Sequence, residues 1–184
     1  MILLALACAD NSIETAEEFT EELMFVPLAD DGISVEEVEP NRYLGLWYEI
    51  ATTPSSQQRS CTGTTAEYSL IDEQTVGVLN RCYLGSLDGQ LNAIQGVAYV
   101  QDETYARLMV DFDFGFTAPY NIITLDGNAN GELYQFAVVS SYTNLWILSR
   151  NPQMDPELYE LLLKDLEERE YPLENLILTE QPVQ

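Results

Sequence analysis

Eight short runs of alternating apolar and polar residues, at 45–53, 61–71, 75–84, 91–101, 104–113, 118–126, 133–140 and 144–150, follow one another along the chain. No other feature limits its fold so tightly. In the fifth run Ala106, Leu108, Val110 and Phe112 fall on one face, against Tyr105, Arg107, Met109 and Asp111 on the other, which is the period-two pattern of a half-buried strand. The links are short and rich in turn formers: Asp72-Glu73-Gln74, Asp88-Gly89, Asp102-Glu103, Phe114-Gly115-Phe116 and Asp126-Gly127-Asn128. Links of that length join antiparallel neighbours. A flat sheet of eight would leave two exposed edges, whereas an up-and-down barrel leaves none. Eight strands also enclose an interior just wide enough for one small ligand. A two-sheet sandwich is the alternative the pattern allows.

One helix is expected after the strands. Asp155 can cap it, Pro156 suits its first turn and Pro172 stops it. Leu158, Tyr159, Leu162, Leu163 and Leu166 form an apolar stripe, with Glu160, Glu167, Glu168 and Glu170 elsewhere, so the helix should pack on the outside of the barrel. Leu176-Ile177-Leu178 reads as a short closing strand.

Composition narrows the function. Lys and Arg number 7 against 31 Asp and Glu, a formal charge of −24, which repels phosphate backbones and anionic headgroups. Nucleic acid is excluded as a partner, and the acidity fits a salty medium. The chain has no histidine, which removes the usual triads, zinc and haem ligands and the common base near neutral pH. The acidic Asp111-Phe112-Asp113 matches no calcium-ligand spacing, and no metal or cofactor is expected.

The N-terminus has a different character. Leu3-Leu4-Ala5-Leu6-Ala7-Cys8 resembles the end of a bacterial lipoprotein signal, with Cys8 as the lipidated residue and residues 1–8 as a truncated signal. It lacks a basic start and is shorter than the roughly 15–30 residues of secretory signals; an uncleaved apolar terminus reads the same. Residues 9–34 are acidic with scattered apolar patches and are expected to form a flexible tether, leaving 35–184 as the folded domain.

Three separated stretches resemble the lipocalin family. Gly45-Leu46-Trp47-Tyr48-Glu49 looks like its first signature, Tyr120-Asn121-Ile122-Ile123-Thr124-Leu125-Asp126 its second, and Leu145-Trp146-Ile147-Leu148-Ser149-Arg150 its third. With Arg42-Tyr43-Leu44 before the first, the likeness is to the bacterial outer-membrane lipocalins, which are similar to apolipoprotein D. The resemblance implies a barrel closed at one end by Gly45 and Trp47, with Arg150 lying over the indole, and a ligand held inside. Parity set from Trp47, Arg150 and an outward Glu67 gives the inward list: Glu49, Ala51, Thr64, Ala66, Tyr68, Val78, Ala98, Leu108, Val110, Phe112, Tyr120, Ile122, Trp146 and Leu148. All of these except Glu49, Thr64 and Leu148 are the expected ligand contacts. Small Ala51, Ala66, Gly96 and Ala98 should leave space, and Phe112, Tyr120 and Trp146 should give flat walls. A solid core is the competing outcome, and a slip of one residue would reverse a strand's facing.

Cys61 opens the second strand and Cys82 lies late in the third, nearly opposite across a hairpin. A bridge there would fit a periplasmic or extracellular compartment; two reduced thiols in a cytosolic protein are the alternative. The expected function is a non-enzymatic carrier for a fatty acid, lysophospholipid or similar amphiphile, at the cell envelope or secreted, as a monomer or weak dimer. Membrane contact would come only through an anchor at Cys8. A basic residue at the mouth would favour anionic ligands, with Arg59, Arg81 and Arg107 to be tested. Two other functions fit the sequence: an isomerase-like enzyme using Glu49 or a free cysteine, and a scaffold that binds another protein.

Overall fold

Backbone pairing closes the chain into a barrel. The computed structural model describes residues 25–54, 60–128 and 131–183. A four-residue helix α1 (Pro40–Tyr43) leads into strand β1 (Gly45–Thr52), followed by β2 (Cys61–Asp72), β3 (Thr75–Leu84), β4 (Gln90–Val100), β5 (Arg107–Asp111), β6 (Thr117–Leu125), β7 (Phe136–Ser141) and β8 (Asn144–Ser149). Each strand pairs antiparallel with the next, β8 returns to β1, and β1 also pairs with β2. The barrel is therefore closed, as the alternation and short links imply. Helix α2 (Pro156–Glu168) starts where expected, with the Asp155 carboxylate accepting from the amides of Glu157 and Leu158, which satisfies two otherwise unpaired donors. Strand β9 (Ile177–Leu178) adds to β1 at Ala51 and Thr52.

The barrel wall separates two apolar clusters. Inside are Trp47, Tyr68, Val78, Ala98, Leu108, Val110, Ile122 and Leu148. Outside, Leu162 and Leu166 of α2 are fully buried against Ile123, Val138, Leu145 and Ile147, so the helical stripe covers one side of the wall. Arg169, just past α2, fixes that docking by donating to the Ile123 carbonyl and the Thr124 hydroxyl at 2.9 and 3.0 Å.

Three expectations need correction. The fifth strand is shorter than 104–113: Asp102 caps the Thr104 amide and Asp111 the Asp113 amide, while Tyr105 and Asp113 take positive φ. Such local side-chain bonds compete with ladder pairing and end the strand. Ala51 does not face inward. The β1–β8 register shifts between Glu49 and Ala51, and this bulge sends Ala51 to the outer cluster beside Ile147, because one extra residue reverses the facing beyond it.

The tether does not reach residue 34. Val26 donates to the Leu125 carbonyl at 2.9 Å, Phe25 packs edge-on against Phe136, and Leu28 bridges Val35. Arg107 ties Asp31 to the wall with an ion pair at 2.7 Å. A few apolar residues cannot order a segment alone, but the finished wall supplies the partner surface they lack. Cys8, the signal-like residues 1–8 and residues 9–24 lie outside the described residues.

Candidate ligand-binding site

Gly45 has φ +94°, a backbone state that L side chains rarely adopt, and it lets β1 start directly beneath Arg150. Trp47 is fully buried and donates its indole N–H to the Tyr43 carbonyl at 2.8 Å. The Arg150 guanidinium lies 3.8 Å from the centre of that indole, close enough for a cation–π contact. Its donors reach the carbonyls of Tyr134, Leu46, Arg42, Tyr43 and Leu44 at 2.7–3.1 Å. Burial lowers the Arg150 pKa to about 10, so it stays charged at neutral pH. This group ties α1, the start of β1 and the end of β8 together at one end of the barrel, as a plug would.

An apolar cavity of about 40 Å³ lies in the half of the barrel nearest that plug. A single water needs roughly 10–15 Å³, so the space is a few waters large and suits a slender chain segment. Among the expected contacts, Tyr68, Ala98, Leu108, Val110, Tyr120 and Ile122 line it. Ala66, Phe112 and Trp146 pack against the inner cluster without lining this cavity. Phe112 fills the space expected above Gly96: a Cβ there would come within 2.5 Å of its ring. Val78 is inside but off the cavity. Val38, Pro40, Tyr43, Leu44 and Tyr105 complete the floor, with Val76 and Val100 in the wall. Val76 and Val100 share the parity of Val78 and Ala98 and were accessible to the same count. The floor residues come from α1 and the connections, which carry no strand period.

Three phenols meet at this cavity. The Tyr120 hydroxyl is 2.8 Å from that of Tyr43 and 2.8 Å from that of Tyr68. Burial raises all three pKa values, that of Tyr68 to about 12, so they remain neutral hydroxyls. No charged side chain lines the cavity. Arg81 pairs with Glu67 at 2.9 Å, and Arg107 is engaged by Asp31, Asp102 and Ser34. Arg59 lies outside the described residues. A larger concavity of about 620 Å³ runs along β2–β5. Its border mixes Glu67, Arg81, Gln95, Asp111 and Asp113 with Val78, Leu79, Val97, Tyr99 and Phe112.

At the wide end β1 and β2 part, and the C-terminal segment fills the wedge. Thr179 donates its amide to the Ile50 carbonyl, Gly63 donates to the Glu180 carbonyl, and the Gln181 amide group bridges the carbonyls of Glu49 and Thr64 at 2.8 Å each. The Glu49 carboxyl is 5% exposed and accepts from the Thr179 hydroxyl at 2.6 Å. Burial outweighs that bond and raises its pKa from 4.5 to about 7. Glu49 does not line the cavity. Nearby, Cys61 and Cys82 form a disulfide, S–S 2.06 Å, so neither is a free thiol.

A closed eight-stranded barrel with an apolar, charge-free interior cavity defines a binder of small hydrophobic molecules. The chain belongs to the lipocalin family: the family model for a lipocalin-like domain matches residues 38–181, and members of the family bind small hydrophobic ligands. It is 36% identical to the putative lipocalin R877 of Acanthamoeba polyphaga mimivirus, covering 80% of this chain and 87% of that one. It is 33% identical to the outer membrane lipoprotein Blc of Vibrio cholerae (80% and 85% covered) and 33% identical to apolipoprotein D of Bos taurus (79% and 78%). Lobster apocrustacyanin A1 shares the fold, with TM-score 0.62 at 21% identity over 78% of this chain and 79% of that one.

Proposed function

We propose that this lipocalin carries a slender, neutral lipid in its barrel at the cell envelope, tethered through a lipidated Cys8. The observation that carries the ligand reading is the cavity lined by apolar side chains and phenols with no charged group. An isolated carboxylate buried there would lose its hydration, and the nearby Arg150 does not line the cavity and spends its donors on backbone carbonyls, so the cost is far above that of a neutral head. Arg81 and Arg107 are paired on other surfaces, and the net charge of −24 adds repulsion. A neutral chain therefore fits better than a fatty acid. The envelope reading is supported by the relatives named outer membrane lipoprotein Blc and by the Cys61–Cys82 disulfide, which suits an oxidising compartment. A carrier is also favoured over an enzyme because both strand cysteines are bridged and Glu49 is not among the residues that line the cavity.

Native mass spectrometry of freshly purified protein, with solvent extraction of the bound material, tests this. A neutral amphiphile should be recovered, and Ala98→Phe, which fills the cavity, should abolish recovery while the barrel stays folded by circular dichroism. Recovery of fatty acid alone, or equal recovery from the Ala98→Phe protein, would overturn the reading.

A further inference from the structure

Within the proposed carrier site, three hydroxyls make two contacts. Tyr43, Tyr68 and Tyr120 bring three O–H protons, and the two O···O contacts through Tyr120 use two of them. Whichever way the chain of bonds runs, one proton has no partner among the three. The remaining walls of the cavity are Val, Leu, Ile, Ala and Pro side chains and the phenol of Tyr105. Tyr43 and Tyr68 are each less than a tenth exposed. A buried donor without an acceptor costs about 1–3 kcal/mol, so the arrangement favours a guest that brings the acceptor.

We propose that the Tyr43–Tyr120–Tyr68 cluster is a hydrogen-bond-donor subsite that selects ligands with a neutral carbonyl oxygen at the end of a slender apolar chain, such as a ketone or an ester. A carbonyl accepts without adding a proton, so three donors then meet three acceptors. An alkane leaves the surplus proton unanswered. A carboxylate could accept it, but one hydrogen bond does not replace the water shell around a buried charge.

This inference rests on the carrier reading, and one experiment separates the two. Undecan-2-one, undecane and undecanoate are titrated into the intact protein by displacement of a fluorescent apolar probe. The ketone should bind about five- to tenfold more tightly than the alkane, the size of one net hydrogen bond, and more tightly than the carboxylate. In Y43F/Y68F/Y120F the ketone and alkane should bind alike, with alkane affinity kept or raised. If none of the three binds the unmutated protein, the carrier reading fails. If ketone and alkane bind it alike, or undecanoate binds best, only the subsite fails. Should the triple variant not fold, the carbonyl stretch of bound carbon-13-labelled ketone decides: it should move to lower frequency in the unmutated protein, and an unshifted band overturns the subsite.

Discussion

Two polar groups lie side by side at the narrow end of this barrel, and Tyr43 belongs to both. Its carbonyl accepts from Trp47 and Arg150, while its hydroxyl meets Tyr120. Around Arg150 every contact runs from a donor to a fixed backbone carbonyl, and the one N–H left over, at Nη1, belongs to a half-buried group that water can reach. Around Tyr120 the two contacts use two of three protons and leave one over. The spare proton of half-buried Arg150 can find water, whereas that of the phenols is held among apolar walls. What tells a structural polar cluster from a recognition site is whether a donor is left over where water does not reach.

Removing the balanced cluster should have the largest effect. Trp47→Ala empties a fully buried aromatic site and should cost about 3–5 kcal/mol. Arg150→Ala takes a donor from five carbonyls, of which those of Arg42 and Tyr43 keep another, and uncovers the indole, with a loss on the same order. Urea unfolding measures both. A midpoint for either variant equal to that of the parent would show that the plug is not structural.

At the wide end the restraint is covalent. The disulfide spans 21 residues, for which loop-closure entropy gives about 3 kcal/mol of stabilisation. The Cys61→Ala/Cys82→Ala pair should lose about that much while keeping the ketone-over-alkane preference, because the bridge lies away from the phenols. Loss of the preference together with stability would mean that the two ends are not independent.

A third buried group is balanced only when it carries a proton. The folded pKa of Glu49 stands near 7, against 4.5 for the ordinary carboxyl. Between those values the folded chain keeps a proton that the unfolded chain has lost, so stability falls as pH rises through the window. Below about 4.5 the group contributes nothing, and above about 7 the penalty is complete and level. Glu49→Gln imitates the protonated form. Its advantage over the parent should be near zero at the acid end and about 3 kcal/mol above pH 7. The remaining carboxylates are common to both proteins and cancel. A difference that does not change with pH would show that Glu49 is already ionised in the fold.

The barrel was legible because alternation acts on every strand at once. Runs of two-residue period around Val78, Ala98 and Leu108 gave the wall, its closure and the outer helix. Ala51 was misplaced by a single bulge, which no local pattern announces, since Ile50 and Ala51 are both apolar and either facing looks acceptable. The docking of Phe25 and Val26 was hidden for a different reason: their partners, Phe136 and Leu125, are distant in sequence and exist only once the sheet has formed. Tyr120 was found by parity, whereas Tyr43 sits in α1, where that count says nothing. The meeting of their hydroxyls is a property of the closed barrel and not of any segment.

The smallest effect belongs to the unbalanced cluster, and it tests the comparison most directly. Converting all three phenols to phenylalanine removes donors and acceptors together, a change of nearly constant shape that is close to neutral for buried pairs. Y43F/Y68F/Y120F should therefore shift stability by no more than about 1 kcal/mol without ligand. Tyr120→Phe alone should cost more than the triple change, because it leaves the Tyr43 and Tyr68 hydroxyls buried with neither partner. That inverted order, one substitution worse than three, follows from counting protons and not from counting contacts. If the triple variant proved the least stable, the phenols would be ordinary structural hydrogen bonds like those of Arg150, and the distinction between the two clusters would collapse.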